Sequence, residues 1–128
     1  MQAVPSSRIG RFGRSERLAG KPAFARVLAS RNRLQAGRFA LLFSRNEGPA
    51  ARLGISVAKR FVKQAVSRNR IKRLIREIFR LHPVRIHALD LFVTLRSAPA
   101  AARQPLPIAL LREELTELMQ KAAAVANR

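Results

Sequence analysis

The chain has 128 residues, the size of one domain, and 48% of them are apolar, enough for a packed core. Its 26 Lys and Arg against 7 Asp and Glu give a formal net charge of +19. That balance argues against a typical small-molecule enzyme and for a polyanionic partner, either nucleic acid or an anionic membrane surface. Cysteine is absent, which excludes disulfide scaffolds and thiolate zinc sites, and no apolar run approaches the ~20 residues that span a bilayer.

Residues 1–17 read as a basic flexible tail, because Arg8, Arg11, Arg14 and Arg17 recur among Ser and Gly with little apolar content. Such a tail is a solvated extension or an RNA-touching arm. A transit peptide ranks third, since Pro5, Gly10 and Gly13 interrupt any amphipathic helix, and no apolar signal-peptide core is visible. The folded domain is expected over 18–128. A first helix is predicted after Gly20 and Lys21, with Pro22 in its first turn and Phe24, Val27 and Leu28 on one apolar face. Ser30 to Gly37 is turn-like, with a short edge strand at Leu34–Ala36.

Arg38–Ser44 reads as a strand bounded by Asn46, Gly48 and Pro49. Arg52–Lys59 reads as a second, with Leu53, Ile55 and Val57 on one face and the small Gly54, Ser56 and Ala58 on the other. Small residues there leave room for a helix or a ligand to approach the sheet. Gln64–Leu81 is an amphipathic helix through Ile71, Leu74, Ile75, Ile78 and Phe79, ended by Pro83. Leu89–Leu95 is a further strand. Pro107 opens the last helix, with Leu111, Leu115, Leu118, Met119 and Ala122 on its apolar face. The expected class is α+β, a single sheet of about four strands with three helices in the order αβββαβα.

The chemistry concentrates between Arg52 and Arg80, which hold ten cations and one acid, Glu77. On the predicted helix, Asn69, Lys72, Arg73, Arg76 and Arg80 fall on one stripe, opposite the apolar one. Cations near a helix N-terminus oppose the macrodipole, at roughly 0.3–1 kcal/mol each when exposed. Like charges at i,i+4, such as Arg68 with Lys72, add to that cost. A ridge that is unfavourable in the free protein is readily explained by phosphates that neutralise it.

The stretch ARLGISVAKRFVKQAVSRNRIKRLIREIFR, Ala51 to Arg80, closely resembles the protein subunit of bacterial ribonuclease P. The resemblance rests on the strand around Gly54–Arg60 leading into the helix with Arg68-Asn69-Arg70. It implies a small protein that assists a large catalytic RNA in removing the 5′ leader of precursor tRNA. In that family the RNA and its magnesium ions perform the hydrolysis. The implied RNA contacts are Lys59, Arg60, Arg68, Asn69, Arg70, Lys72, Arg73 and Arg76. The implied leader cleft uses Phe24 and Leu28 of the first helix with Ala40 and Leu42 of the facing strand. Where the family often has aromatics this chain has Leu28 and Leu42, and it contains no Tyr or Trp. Phe24 either stacks on a base or packs the first helix onto the sheet.

His82 and His87 flank Pro83 off helical register, so no metal site is assigned to them, and Asp90 and Glu77 form no defensible catalytic pair. The expectation is therefore an endoribonuclease subunit with no catalytic residue and no metal of its own. Its partners are the catalytic RNA and precursor tRNA, with no membrane and no required protein partner, in the cytoplasm. The alternatives are a basic ribosomal RNA-binding protein and a protein-only nuclease.

Overall fold

The computed structural model describes residues 21–101 and 104–126, and within them the side chains of all but Lys21, Ala23 and Phe24. The expected tail at 1–17 and the Phe24 ring lie outside what is described. The elements are α1 (Lys21–Ala29), β1 (Arg33–Ala36), β2 (Phe39–Arg45), β3 (Arg52–Ser56), α2 (Ala65–Leu81), a short 3-10 helix (Pro83–Ile86), β4 (Leu89–Leu95) and α3 (Ile108–Ala126). This is the αβββαβα order read from the sequence.

The four strands form one mixed sheet in the order β1-β2-β4-β3. β1 pairs antiparallel with β2 and β2 antiparallel with β4, whereas β3 joins β4 in parallel. Parallel neighbours need a long crossover, and α2 provides it. Alternation gives the sheet two faces. Phe39, Leu41, Leu53, Leu91 and Val93 meet the apolar sides of α2 and α3, where Ile71, Ile75, Phe79, Leu111 and Leu115 are buried. The opposite face carries α1, which packs on β2 and β4 through a small separate cluster of Val27, Leu42 and Phe92. Ser30 Oγ lies 2.8 Å from the carbonyls of both Val27 and Phe43, donating between them, and ties the end of α1 to β2.

Three local features differ from the expectation. The strand predicted to reach Lys59 ends at Ser56, opposite Thr94. There the chain turns, and the N–H groups of Phe61 and Val62 donate to the Ala58 carbonyl, placing Lys59 and Arg60 in an exposed turn. The segment Arg33–Phe39 is a tight hairpin with Gly37 and Arg38 at its tip. Only Gly37 (φ 55°) has positive φ there, the pattern of a II′ turn. Glu114 of α3 caps it, accepting from Arg38 N–H at 2.9 Å and Arg38 Nη1 at 2.6 Å. A Cβ on Gly37 would collide with the Glu114 side chain. Gly37→Ala should therefore lose about 2–3 kcal/mol in urea denaturation, from an alanine at positive φ plus displacement of Glu114. In a Glu114→Ala background the same change should cost only about 1 kcal/mol. Equal costs in both backgrounds would refute the cap.

The third feature is the 3-10 helix after Pro83, whose first turn is capped by His82 Nδ1 accepting from Val84 N–H at 3.0 Å. That bond needs the neutral imidazole. Burial lowers the His82 pKa from its ordinary 6.5. The unfolded chain thus takes up a proton at higher pH than the folded one, so stability is full above about 6.5 and is lost as pH falls from there through the folded value. His82→Asn keeps an acceptor without titrating. Its unfolding midpoint should lose less between pH 7 and pH 5.5 than that of the unmodified protein. Identical pH profiles would remove His82 from the account.

Candidate nucleic-acid interface

α2 buries Ile71, Leu74, Ile75, Ile78 and Phe79 and turns its cations outward. Asn69, Arg70 and Arg73 are exposed, and Arg68, Lys72 and Arg76 are half-buried. No ion pair reaches Arg70, Lys72 or Arg73 among the described residues. The one acid on the helix, Glu77, pairs instead with Arg112 of α3 at 3.2 Å. Arg70, Lys72 and Arg73 therefore keep their charge for an external partner.

The start of α2 is less adverse than the charge run suggests. Gln64 provides no side-chain cap, and the first turn holds no acid. Arg68, in the fourth helical position, turns Nη1 back onto the carbonyls of Val62 (3.0 Å) and Lys63 (2.8 Å). It thus braces the loop that leads in from Lys59 and Arg60. The Arg60 guanidinium lies 4.7 Å from the centre of the Phe61 ring, a cation–π contact that orients it.

The second feature is a groove on the α1 side of the sheet. Register puts Leu42 beside Phe92 and Phe92 beside Gly54, and likewise Ala40, Thr94 and Ser56 in one row. α1 packs over β2 and β4, while the edge strand β3 presents only Gly54 and Ser56 along its middle. The result is a trough beside α1, bordered by the small residues of β3, with Thr94 of β4 half-buried in it and Phe92 and Asp90 buried beneath. Its Ser56 end leads to Lys59 and Arg60, and so to the start of α2.

Of the expected cleft residues, Leu28 is 50% exposed on α1 and Leu42 is half-buried against Phe92 and Val27. Ala40 is only 4% exposed, so it supports the floor rather than offering contact surface. Gly54 and Ser56 belong to the same surface, and the buried Phe92 underlies it, although the sequence reading did not select them. The signal was present in strand parity, because Phe92 alternates with the core residues Leu91 and Val93 and so must face the other way.

At the trough's other end lies a polar cluster. Asp90 is fully buried and accepts from Arg52 Nε (2.8 Å), Arg52 Nη2 (2.7 Å) and Asn46 Nδ2 (2.9 Å). The hydrogen bonds to Asp90 raise the Arg52 pKa above its already high ordinary value, against the opposing effect of burial. Asp90 thus has a structural partner, as its place between apolar residues requires. Asp90 and Glu77 sit on different elements with different arginines. No helix among the described residues is long and apolar enough to cross a membrane.

A family model described as Ribonuclease P matches residues 12–123. The ribonuclease P protein component of Thioalkalivibrio sulfidiphilus is 39% identical over 87 residues, covering 68% of this chain and 72% of that protein. That of Proteus mirabilis is 36% identical over 110 residues, 86% of each chain. The structure is similar to the RNase P protein of Staphylococcus aureus, with a TM-score of 0.68 at 33% identity over 84% of this chain and 94% of that one. The RNase P protein of Thermotoga maritima gives 0.68 at 30% identity over 83% and 96%. Sequence match, strand order and cationic helix agree, and the chain belongs to the ribonuclease P protein family.

Proposed function

We propose that this chain is the protein subunit of a ribonuclease P, binding the catalytic RNA along α2 and the 5′ leader of precursor tRNA in the trough beside α1. The observation that carries this reading is the joining of two surfaces. A cationic ridge, in which Arg70, Lys72 and Arg73 have no ion pair among the described residues, and a trough lined by small and apolar residues meet at Lys59 and Arg60. A folded RNA docked on the ridge delivers a single strand to the trough. Phosphates meet the guanidinium groups of Arg70 and Arg73, while sugars and bases make van der Waals contact with Leu28 and Leu42.

In this reading the protein performs no bond-breaking step. The RNA subunit and its magnesium ions hydrolyse the phosphodiester, and the protein neutralises phosphates and holds the leader.

Reconstitution tests the proposal. Adding the protein to the RNA subunit should lower the magnesium needed to cleave precursor tRNA and tighten precursor binding over mature tRNA. Binding to ribosomal RNA with no change in the magnesium requirement would favour a ribosomal protein. Cleavage by RNA-free protein would favour a protein-only nuclease.

A further inference from the structure

Arg52 was not among the residues that sequence reasoning assigned to RNA. It opens β3, and its side chain lies on the trough face because it shares parity with Gly54 and Ser56. Its Nε and Nη2 grip the two oxygens of Asp90, and Asn46 completes the acid's coordination. Ser44, opposite Asp90 on β2, has a buried Oγ without a partner among the described residues. Arg52 Nη1 has no partner among the described residues, and the side chain is 32% exposed. A guanidinium fixed by two bonds with one nitrogen left over is a pre-aimed donor.

The placement gives that donor a meaning. Lys59 and Arg60 stand past the Ser56 end of β3, and Arg52 stands at the other, ~13 Å away at strand spacing. The end of α1, tied to Phe43 by Ser30, lies at the Arg52 end too. Between the two cationic ends β3 contributes only Leu53, Gly54, Ile55 and Ser56, none of them charged.

We infer that Arg52, held by Asp90 and Asn46, is the distal phosphate contact of the trough, gripping the RNA strand after it has crossed the sheet from Lys59 and Arg60. This rests on the reading of the trough as the leader site. Asp90 acts here as a positioning residue. An arginine without it would have its side-chain torsions to immobilise on binding. The contact recognises backbone charge, so it discriminates by leader length and not by base.

The test uses the reconstituted ribonucleoprotein and precursor tRNAs whose leaders grow one nucleotide at a time, with affinity as the readout. For the unmodified protein, affinity rises with leader length and levels once the strand passes Arg52. The double variant Arg52→Gln, Asp90→Asn keeps a hydrogen-bonded pair but removes the cation. It should follow the unmodified protein for short leaders and then miss the last rise, binding long leaders about tenfold less tightly, the worth of one charge-assisted hydrogen bond. Arg52→Lys is the second variant: it keeps a counter-charge for Asp90, but one ammonium does not reproduce the fork, so the same length-selective loss is expected. Equal losses at every length, mature tRNA included, would make the pair a fold support only. Unchanged affinity at every length would overturn the assignment as well. If leader length has no effect even for the unmodified protein, the trough reading itself fails, which separates the two failures.

Discussion

Replacing Arg70 and Arg73 together by Ala should weaken binding of the catalytic RNA about a hundredfold, roughly tenfold or 1.4 kcal/mol for each phosphate contact. The log–log salt dependence should flatten by about 1.4–1.8, which is 0.7–0.9 for each phosphate no longer neutralised. Both side chains are exposed, and neither has an ion-pair partner among the described residues. The free protein has no contact to lose. Arg70 and Arg73 repel one another at i,i+3, as do Arg73 and Arg76, by roughly 0.2–0.5 kcal/mol a pair. The double variant should thus be as stable as the parent or slightly more so. Opposite signs for stability and RNA affinity distinguish a binding ridge from a merely solvated helix face. Parallel salt lines for parent and variant would sink the assignment. Arg68→Ala should behave differently. It removes the bonds to the Val62 and Lys63 carbonyls as well, so the protein should lose stability along with affinity.

These two kinds of arginine mark where sequence legibility ended. The spacing of Ile71, Leu74, Ile75, Ile78 and Phe79 fixes which side of α2 is buried, so the outward direction of Arg70 and Arg73 was readable. Long periodic helices and the alternating strand at Leu89–Leu95 carry their own phase, and their positions held. What Arg68 touches was not readable, because it depends on how the loop from Phe61 to Gln64 returns on itself. The II′ hairpin had a local signal in Gly37, but its cap comes from Glu114, 76 residues or so further along the chain. The sheet order was hidden for a related reason. Nothing local in β3 states that it pairs with β4 in parallel, leaving β2 for the other side. With that order unknown, parity placed Ala40 and Leu42 on one surface but did not reveal Gly54 and Arg52 as the opposite border. The cationic ridge is a property of one helix, whereas the trough is a property of three strands and a helix in a particular arrangement.

Arg52→Ala should be the most damaging single substitution of a charged residue in the trough, at about 3 kcal/mol, or roughly 10 °C in melting temperature for a domain of this size. The asymmetry of the pair makes the argument. Asp90 is buried with a side chain only 1% exposed, while that of Arg52 is 32% exposed. Removing Asp90 frees a guanidinium that can turn toward water. Removing Arg52 leaves a carboxylate inside the sheet, with Asn46 Nδ2 as its remaining donor. An unpaired buried charge costs more than the pair contributed. Water entering the space Arg52 vacates offsets part of that cost, which places the expected loss at the lower end of the 3–5 kcal/mol typical of broken buried pairs. Adding Asp90→Asn to Arg52→Gln should therefore recover at least half of the loss seen with Arg52→Ala, although it removes a second charged residue. Additive losses, or a change below about 0.5 kcal/mol for Arg52→Ala, would contradict a desolvated pair. The same cycle bears on function. If the neutral pair restores stability without restoring affinity for long leaders, the charge at Arg52 is retained for the RNA and not for the fold.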